Sequence, residues 1–223
     1  MASLALLLLT DSRFPAGGYA HSGGLEAAVE DGLAARHVPS FLAGRLRGVS
    51  GPEACLAVAT VRATRSGNLD ALARLELEAA ARCPSPPLRA VATRLGAQLL
   101  RTSATVWPDD PVIRAYRESG GPSPRPVAFG VVAAAAGLGD SETAHAYLYE
   151  DAATVTTAAV RLLPVDGALA ARWLIDAGPE IERLAAAAAS AGDDPRLLPG
   201  GFAPSLELGS LAHAARQGRL FAS

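Results

Sequence analysis

The stretch Pro126-Val-Ala-Phe-Gly-Val-Val-Ala-Ala-Ala-Ala-Gly-Leu-Gly139 decides the fold class. Up to Ala136 it carries no charged or polar side chain, so a helix built from it is apolar on every side and belongs inside the molecule. Gly137 and Gly139 supply its stop. The run has 14 residues, four of them Gly or Pro, short of the roughly 18 needed to cross a bilayer. A buried helix of this kind needs cover, and the flanking sequence supplies helices that are apolar on one side only. Leu88, Val91, Leu95 and Leu99 recur at spacings of three and four, with Arg94 and Arg101 pointing away. Leu69, Leu72 and Leu75 start another such helix after Asn68, a favourable cap, and residues 83–87 end it. Asp140 or Ser141 is positioned to cap the helix that follows the buried one.

Composition agrees. Half of the 223 residues are apolar, yet only 5% are aromatic and Ala alone fills 49 positions, a small-residue, helix-favouring mixture. No long alternating run argues for a sheet. We expect an all-α fold, a single globular bundle of roughly ten helices over residues 1–223, with a flexible loop near 119–126 and a docking segment at 204–223. A second loop at 193–204 separates that segment from the Ala-rich helix around Arg183.

All 20 positive side chains are Arg; the sequence contains no Lys. That excludes an intact P-loop, a kinase-type ion-pairing Lys and a Schiff-base enzyme. A net charge of −2 with scattered arginines gives no footprint for nucleic acid or an anionic membrane. Cys55 and Cys83 fit neither a disulfide scaffold nor a zinc spacing. The apolar residues 4–9 lack the length and basic flank of a signal peptide and read as part of the fold. The expected location is the cytoplasm.

The most unusual local sequence is Asp11-Ser-Arg-Phe-Pro-Ala-Gly-Gly-Tyr-Ala-His-Ser-Gly-Gly-Leu-Glu26, a shaped loop whose glycines match neither the dinucleotide nor the P-loop fingerprint. His21 beside Ser22 raises a nucleophile and base, with Asp11 near in sequence, but neighbours rarely make that contact and a hydrogen-bonded turn is the plainer reading. His21, His37, His145 and His213 lie far apart with no pair at helical ligand spacing. No catalytic, cofactor-binding or metal-ligating residue is therefore assigned. Asp151 falls within the apolar stripe of Ala144, Leu148, Val155 and Leu162 and needs a partner: a local hydrogen bond, or an Arg across an interface with another chain. The sequence ends on Arg219-Leu220-Phe221-Ala-Ser, suited to docking in a groove of this domain or of a partner.

Taken together, Asp11-Ser12, Pro15 through Glu26, the Pro126-Val-Ala-Phe-Gly130 run, Arg161-Leu-Leu-Pro164, and His213 with Arg219-Leu220-Phe221 resemble the urease accessory protein UreF family, in the right order over nearly the whole chain. The resemblance implies a helical, usually dimeric, non-catalytic chaperone that assists nickel insertion into urease. It joins UreD, also called UreH, recruits the GTPase UreG, and reaches the urease apoprotein through that complex. It also makes candidate partner-interface residues of Asp11, Ser12, Pro15, Gly17, Gly18, Tyr19, His21, Ser22, Gly24, Glu26, Arg161, His213, Arg219, Leu220 and Phe221, with the tail facing UreD and the N-terminal loop and Arg161 facing UreG or a second copy.

The sequence departs from the family pattern at Val165-Asp166-Gly167-Ala168, where a Gly-Gln pair is common, at Ala214 after the C-terminal His, and at the penultimate Ala222. Two rival readings stay open on the residues alone. One is a small helical hydrolase using His21, Ser22 and Asp11; the other is a direct nickel-binding carrier.

Overall fold

A computed structural model describes residues 2–11, 14–15, 21–215 and 220–221. Among these there is no β-strand. The helices are α1 (Ala2–Thr10), α2 (Leu25–Glu30), α3 (Val38–Arg45), α4 (Gly51–Arg65), α5 (Leu69–Ala81), α6 (Pro86–Val106), α7 (Pro111–Glu118), α8 (Arg125–Ala135), α9 (Asp140–Leu162), α10 (Gly167–Asp176), α11 (Gly178–Ala189) and α12 (Pro204–Ala214). The expected all-α bundle is what the chain forms.

The run that is apolar all round becomes α8, and every residue from Arg125 to Ala133 is buried. Its closest neighbour is α4, with α6 on another side and α9 packed across α4. Gly130 permits the α4–α8 approach, since a Cβ there would sit 2.5 Å from the Thr60 Cβ. Around this centre α9 also meets α1, α10 and α11, while α12 touches only α2 and α6 among its main contacts.

Local chemistry sets the helix ends. The Asn68 side chain accepts from the Ala71 amide at 3.0 Å, as the sequence suggests. The start of α9 differs from expectation: Gly139 is the cap residue, and the Glu142 carboxylate reaches back to accept its amide at 2.7 Å. Glu three residues into a helix can serve this way, and a Gly cap leaves Asp140 free for other work. Asp140 instead accepts from Arg62 Nε at 2.8 Å. The same guanidinium donates to the Ala189 and Ala191 carbonyls, both at 2.6 Å, satisfying carbonyls left open as α11 ends.

Residues 4–9 belong to α1, where Ala5 and Leu9 join the core. Between α3 and α4 the chain stays helical through one π-turn, Leu46–Ser50. Residues after α11 return to this turn, and the Phe202 amide donates to the Gly48 carbonyl at 3.0 Å. Among the described residues no helix is long and apolar enough to cross a membrane.

Candidate functional site

Two buried carboxylates, on α9 and on α2, organise the face that carries the N-terminal motif. Asp151 lies on the apolar stripe of α9, fully buried, and finds its partners within the chain. Arg45, at the end of α3, donates to both of its oxygens at 2.8 Å; Ser50, in the π-turn, donates at 2.6 Å; Arg125, at the start of α8, donates at 3.3 Å. The interchain pairing weighed for Asp151 is thus unnecessary. Burial alone would raise this carboxyl, but the Arg45 charge and hydrogen bonds, with Arg125 and Ser50, hold it well below the usual carboxylate range.

Arg125 also pairs with Glu150, stacks over the Tyr147 ring at 4.7 Å and donates to its hydroxyl at 3.2 Å. The Tyr147 hydroxyl in turn donates to Glu53 at 2.8 Å. Burial, reinforced by Asp151, raises the Glu53 carboxyl against the pull of both arginines and the Tyr147 hydrogen bond.

This network fixes the end of the N-terminal motif. Arg45 spends another N–H on the Gly23 carbonyl, at 2.9 Å. Gly23 and Gly24 have φ of +63° and +86°, a region that disfavours side chains. Space forbids them too: a Cβ on Gly23 would come within 2.9 Å of Val155, and one on Gly24 within 2.8 Å of Leu206. The Ser22 hydroxyl accepts from the Glu26 amide at 3.1 Å, supporting the first turn of α2.

His21, beside this turn, is buried and its Nε2 has no hydrogen-bond partner. Burial first, then the Arg125 and Arg45 charges against the opposing pull of Asp151, lowers its pKa to about 3. The ring is neutral at physiological pH. That Nε2 makes no hydrogen bond to Ser22. His21 borders a cavity of about 160 Å³ with Glu53, Cys83, Leu95 and Leu206, and burial together with Glu53 raises the Cys83 thiol to about 11. Among the described residues no group of three or more His, Cys, Asp or Glu side chains could hold a metal ion.

The second carboxylate, Glu26, is buried against the last described residues. Its two oxygens accept from the consecutive amides of Leu220, at 2.7 Å, and Phe221, at 3.0 Å. His213, buried on α12, lies between carboxylates, with Nε2 at 3.3 Å from Glu26 and Nδ1 at 3.4 Å from Glu30. The Arg161 guanidinium, at the end of α9, covers the Phe221 ring at 4.4 Å from its centroid, within cation–π range.

Residues nominated separately from sequence therefore meet: Glu26, Arg161, His213, Leu220 and Phe221 form one cluster, and His21, Ser22 and Gly24 form the turn leading into it. Asp11 and Pro15 make backbone hydrogen bonds to other elements. The Asp11 amide donates to Leu8 at 3.2 Å, and the Pro15 carbonyl accepts from Thr102 at 2.8 Å and Gln98 at 3.1 Å. Ser12, Gly17, Gly18, Tyr19 and Arg219 lie outside the described residues. Sequence reading missed Glu30 and the whole Arg45, Ser50, Glu53, Arg125 and Tyr147 set. One signal pointed to part of it: in a chain without Lys, a buried Asp151 needs Arg, and Arg125 abuts the helix buried on all sides.

Comparison with known proteins places this geometry in context. A family model described as UreF matches residues 34–178. The chain is 34% identical over 220 residues to a protein named urease accessory protein UreF from Mycobacterium sp. (strain JLS), covering 98% of this chain and 97% of that one. It is 36% identical over 228 residues to the protein of the same name from Mycolicibacterium vanbaalenii, covering both chains completely. A Methylobacterium radiotolerans protein, again so named, is 31% identical across 100% of this chain and 97% of its own. These relatives are accessory proteins by name, and their full-length coverage takes in the Glu26 cluster as well as the matched centre. With the helical bundle and the motif order, they show that this chain belongs to the UreF family of urease accessory proteins.

Proposed function

We propose that this chain is a non-catalytic scaffold for maturation of the urease nickel centre. It acts in the cytoplasm as a homodimer, holds UreD (UreH) through its C-terminal segment, and presents the N-terminal loop to the GTPase UreG. The urease apoprotein is reached through that complex, and nickel is the cargo. The observation that carries this reading is the convergence of Glu26, Arg161, His213 and Phe221 in a chain whose relatives are named urease accessory proteins. A side-chain network whose charges are paired among themselves is suited to holding a surface in shape rather than to moving protons.

The test is a pull-down from cells expressing the urease operon, using the whole chain and a form lacking its last five residues. UreD is expected with the whole chain and lost from the shortened one. Arg219→Ala combined with Phe221→Ala is expected to weaken UreD capture while leaving the helical circular-dichroism signal intact. Undiminished capture contradicts the docking role.

A further inference from the structure

We propose that the cavity bordered by His21 is a binding site for a small uncharged molecule with an apolar body and a single hydroxyl group, held by a hydrogen bond to His21 Nε2. The site rests on the cavity's own chemistry and not on the partner reading above.

The cavity lies where α4, α5, α6 and α12 meet the start of α8, and its apolar wall comes from Leu56, Ala79, Val91, Leu95 and Leu206. Its volume, about 160 Å³, is close to that of a cavity known to accept benzene, about 150 Å³. Protein interiors leave few voids larger than a water molecule, so a space of this size needs walls that cannot close in. Pro52, Pro124 and Pro126 line it, each with φ locked by its ring, and Arg45 and Arg125 are fixed beside it by Asp151. Arg82, also in the lining, is tied to the Pro195 and Leu198 carbonyls at 2.9 and 3.0 Å. A pre-formed, mainly apolar space with a few placed polar groups is the usual form of a small-molecule site.

The polar part of the lining disfavours charged ligands. Arg45 and Arg125 are committed to Asp151, and Arg89 donates to the Cys83 and Pro84 carbonyls at 2.6 and 2.8 Å. Glu76 accepts from the Tyr116 hydroxyl, Glu53 from Tyr147, and the part-exposed Glu207 repels anions. His21 is held neutral and Cys83 as a thiol. His21 Nε2 differs from these groups: it is buried, on a side chain 4% exposed, with no hydrogen-bond partner among the described residues. A buried polar atom left unsatisfied costs the desolvation of that group, and a ligand atom bonded to it recovers that cost. The ring nitrogen donates in one tautomer and accepts in the other; a hydroxyl does both, and so meets either.

Calorimetric titration of the full-length chain with phenol and with benzene tests the site. Phenol is expected to bind one to a chain, and benzene about tenfold more weakly for want of the hydrogen bond to His21. His21→Phe, which keeps a ring and removes the nitrogen, is expected to weaken phenol about tenfold and leave benzene unchanged. Val91→Phe, which enlarges a wall side chain at the expense of the space, is expected to abolish binding of both while the helical circular-dichroism signal persists. Should either variant fail to fold, the wild type still decides: phenol is expected to shift the nitrogen NMR resonance of the His21 ring, and benzene to leave it. Absence of phenol binding by the wild type, equal affinity for phenol and benzene, or a His21 resonance unmoved by phenol overturns the site. Undiminished phenol binding by a folded variant at His21 or Val91 does the same. Displacement of phenol by nickel chloride would make the space a cation site and overturns the assignment equally.

Discussion

Asp151 and Glu26 are both buried carboxylates, yet they are held in opposite ways. Asp151 is gripped by side chains from α3, the π-turn and α8, elements that pack around the centre of the bundle. Glu26 is gripped by two backbone amides near the end of the sequence and a histidine from α12, a helix packed mainly on α2 and α6. The first grip is expected to fail only when the fold opens, and the second when a few residues peel away. One chemical device thus gives a fixed frame in one region and a detachable contact in the other.

Breaking the frame has the largest expected effect. Asp151→Ala leaves Arg45 and Arg125 buried without their shared acceptor and is expected to cost about 3–5 kcal/mol, read as a lower midpoint in urea denaturation. Next is the acid response of His21. Its folded pKa, about 3, lies below the ordinary 6.5, so the unfolded chain binds the extra proton. Stability from this group is complete above pH 6.5 and falls as the pH drops toward 3. His21→Gln removes that slope; at pH 5 the variant is expected to have gained about 2 kcal/mol relative to the wild type, compared with their difference at pH 8. Glu53, raised by burial, pulls the other way as the pH rises above its ordinary value, which is why the paired comparison is the informative one. Asp151, held low, withdraws its contribution only below its ordinary carboxylate range.

Breaking the detachable contact is expected to matter less for stability. Glu26→Ala costs about 1–2 kcal/mol, the loss of hydrogen bonds whose amides water can then reach. Phe221→Ala costs less than about 1 kcal/mol in global unfolding, since a tail that opens locally adds little to the cooperative transition. If Glu26→Ala instead destabilises as much as Asp151→Ala, the two regions form one cooperative unit and the contrast disappears.

Much of the frame was legible in the sequence. The run from Pro126 admits one interpretation, because a helix without a polar side has to be interior, and α8 is buried as that requires. The leucine spacing along α6 and the Asn68 cap depend on neighbours within a turn or two, the range over which sequence is explicit. Asp151 announced that it needed a partner; that the partners are Arg45 and Arg125 was not readable, because they lie 106 and 26 residues away and only the packing of α3 and α8 on α9 brings them in. The Glu26 cluster was legible as separate residues, through resemblance, and not as a contact. Glu26 and Phe221 are 195 positions apart, and a carboxylate that accepts backbone amides leaves no mark on the residue types it binds.

The measurement closest to the central claim is the nickel content and ureolytic activity of urease purified from cells that carry the urease operon with this chain's gene deleted. The claim requires urease subunits at normal abundance but nearly free of nickel and activity, with both restored by the wild-type chain and not by the form lacking its last five residues. Full nickel occupancy and activity in the deleted cells would contradict it.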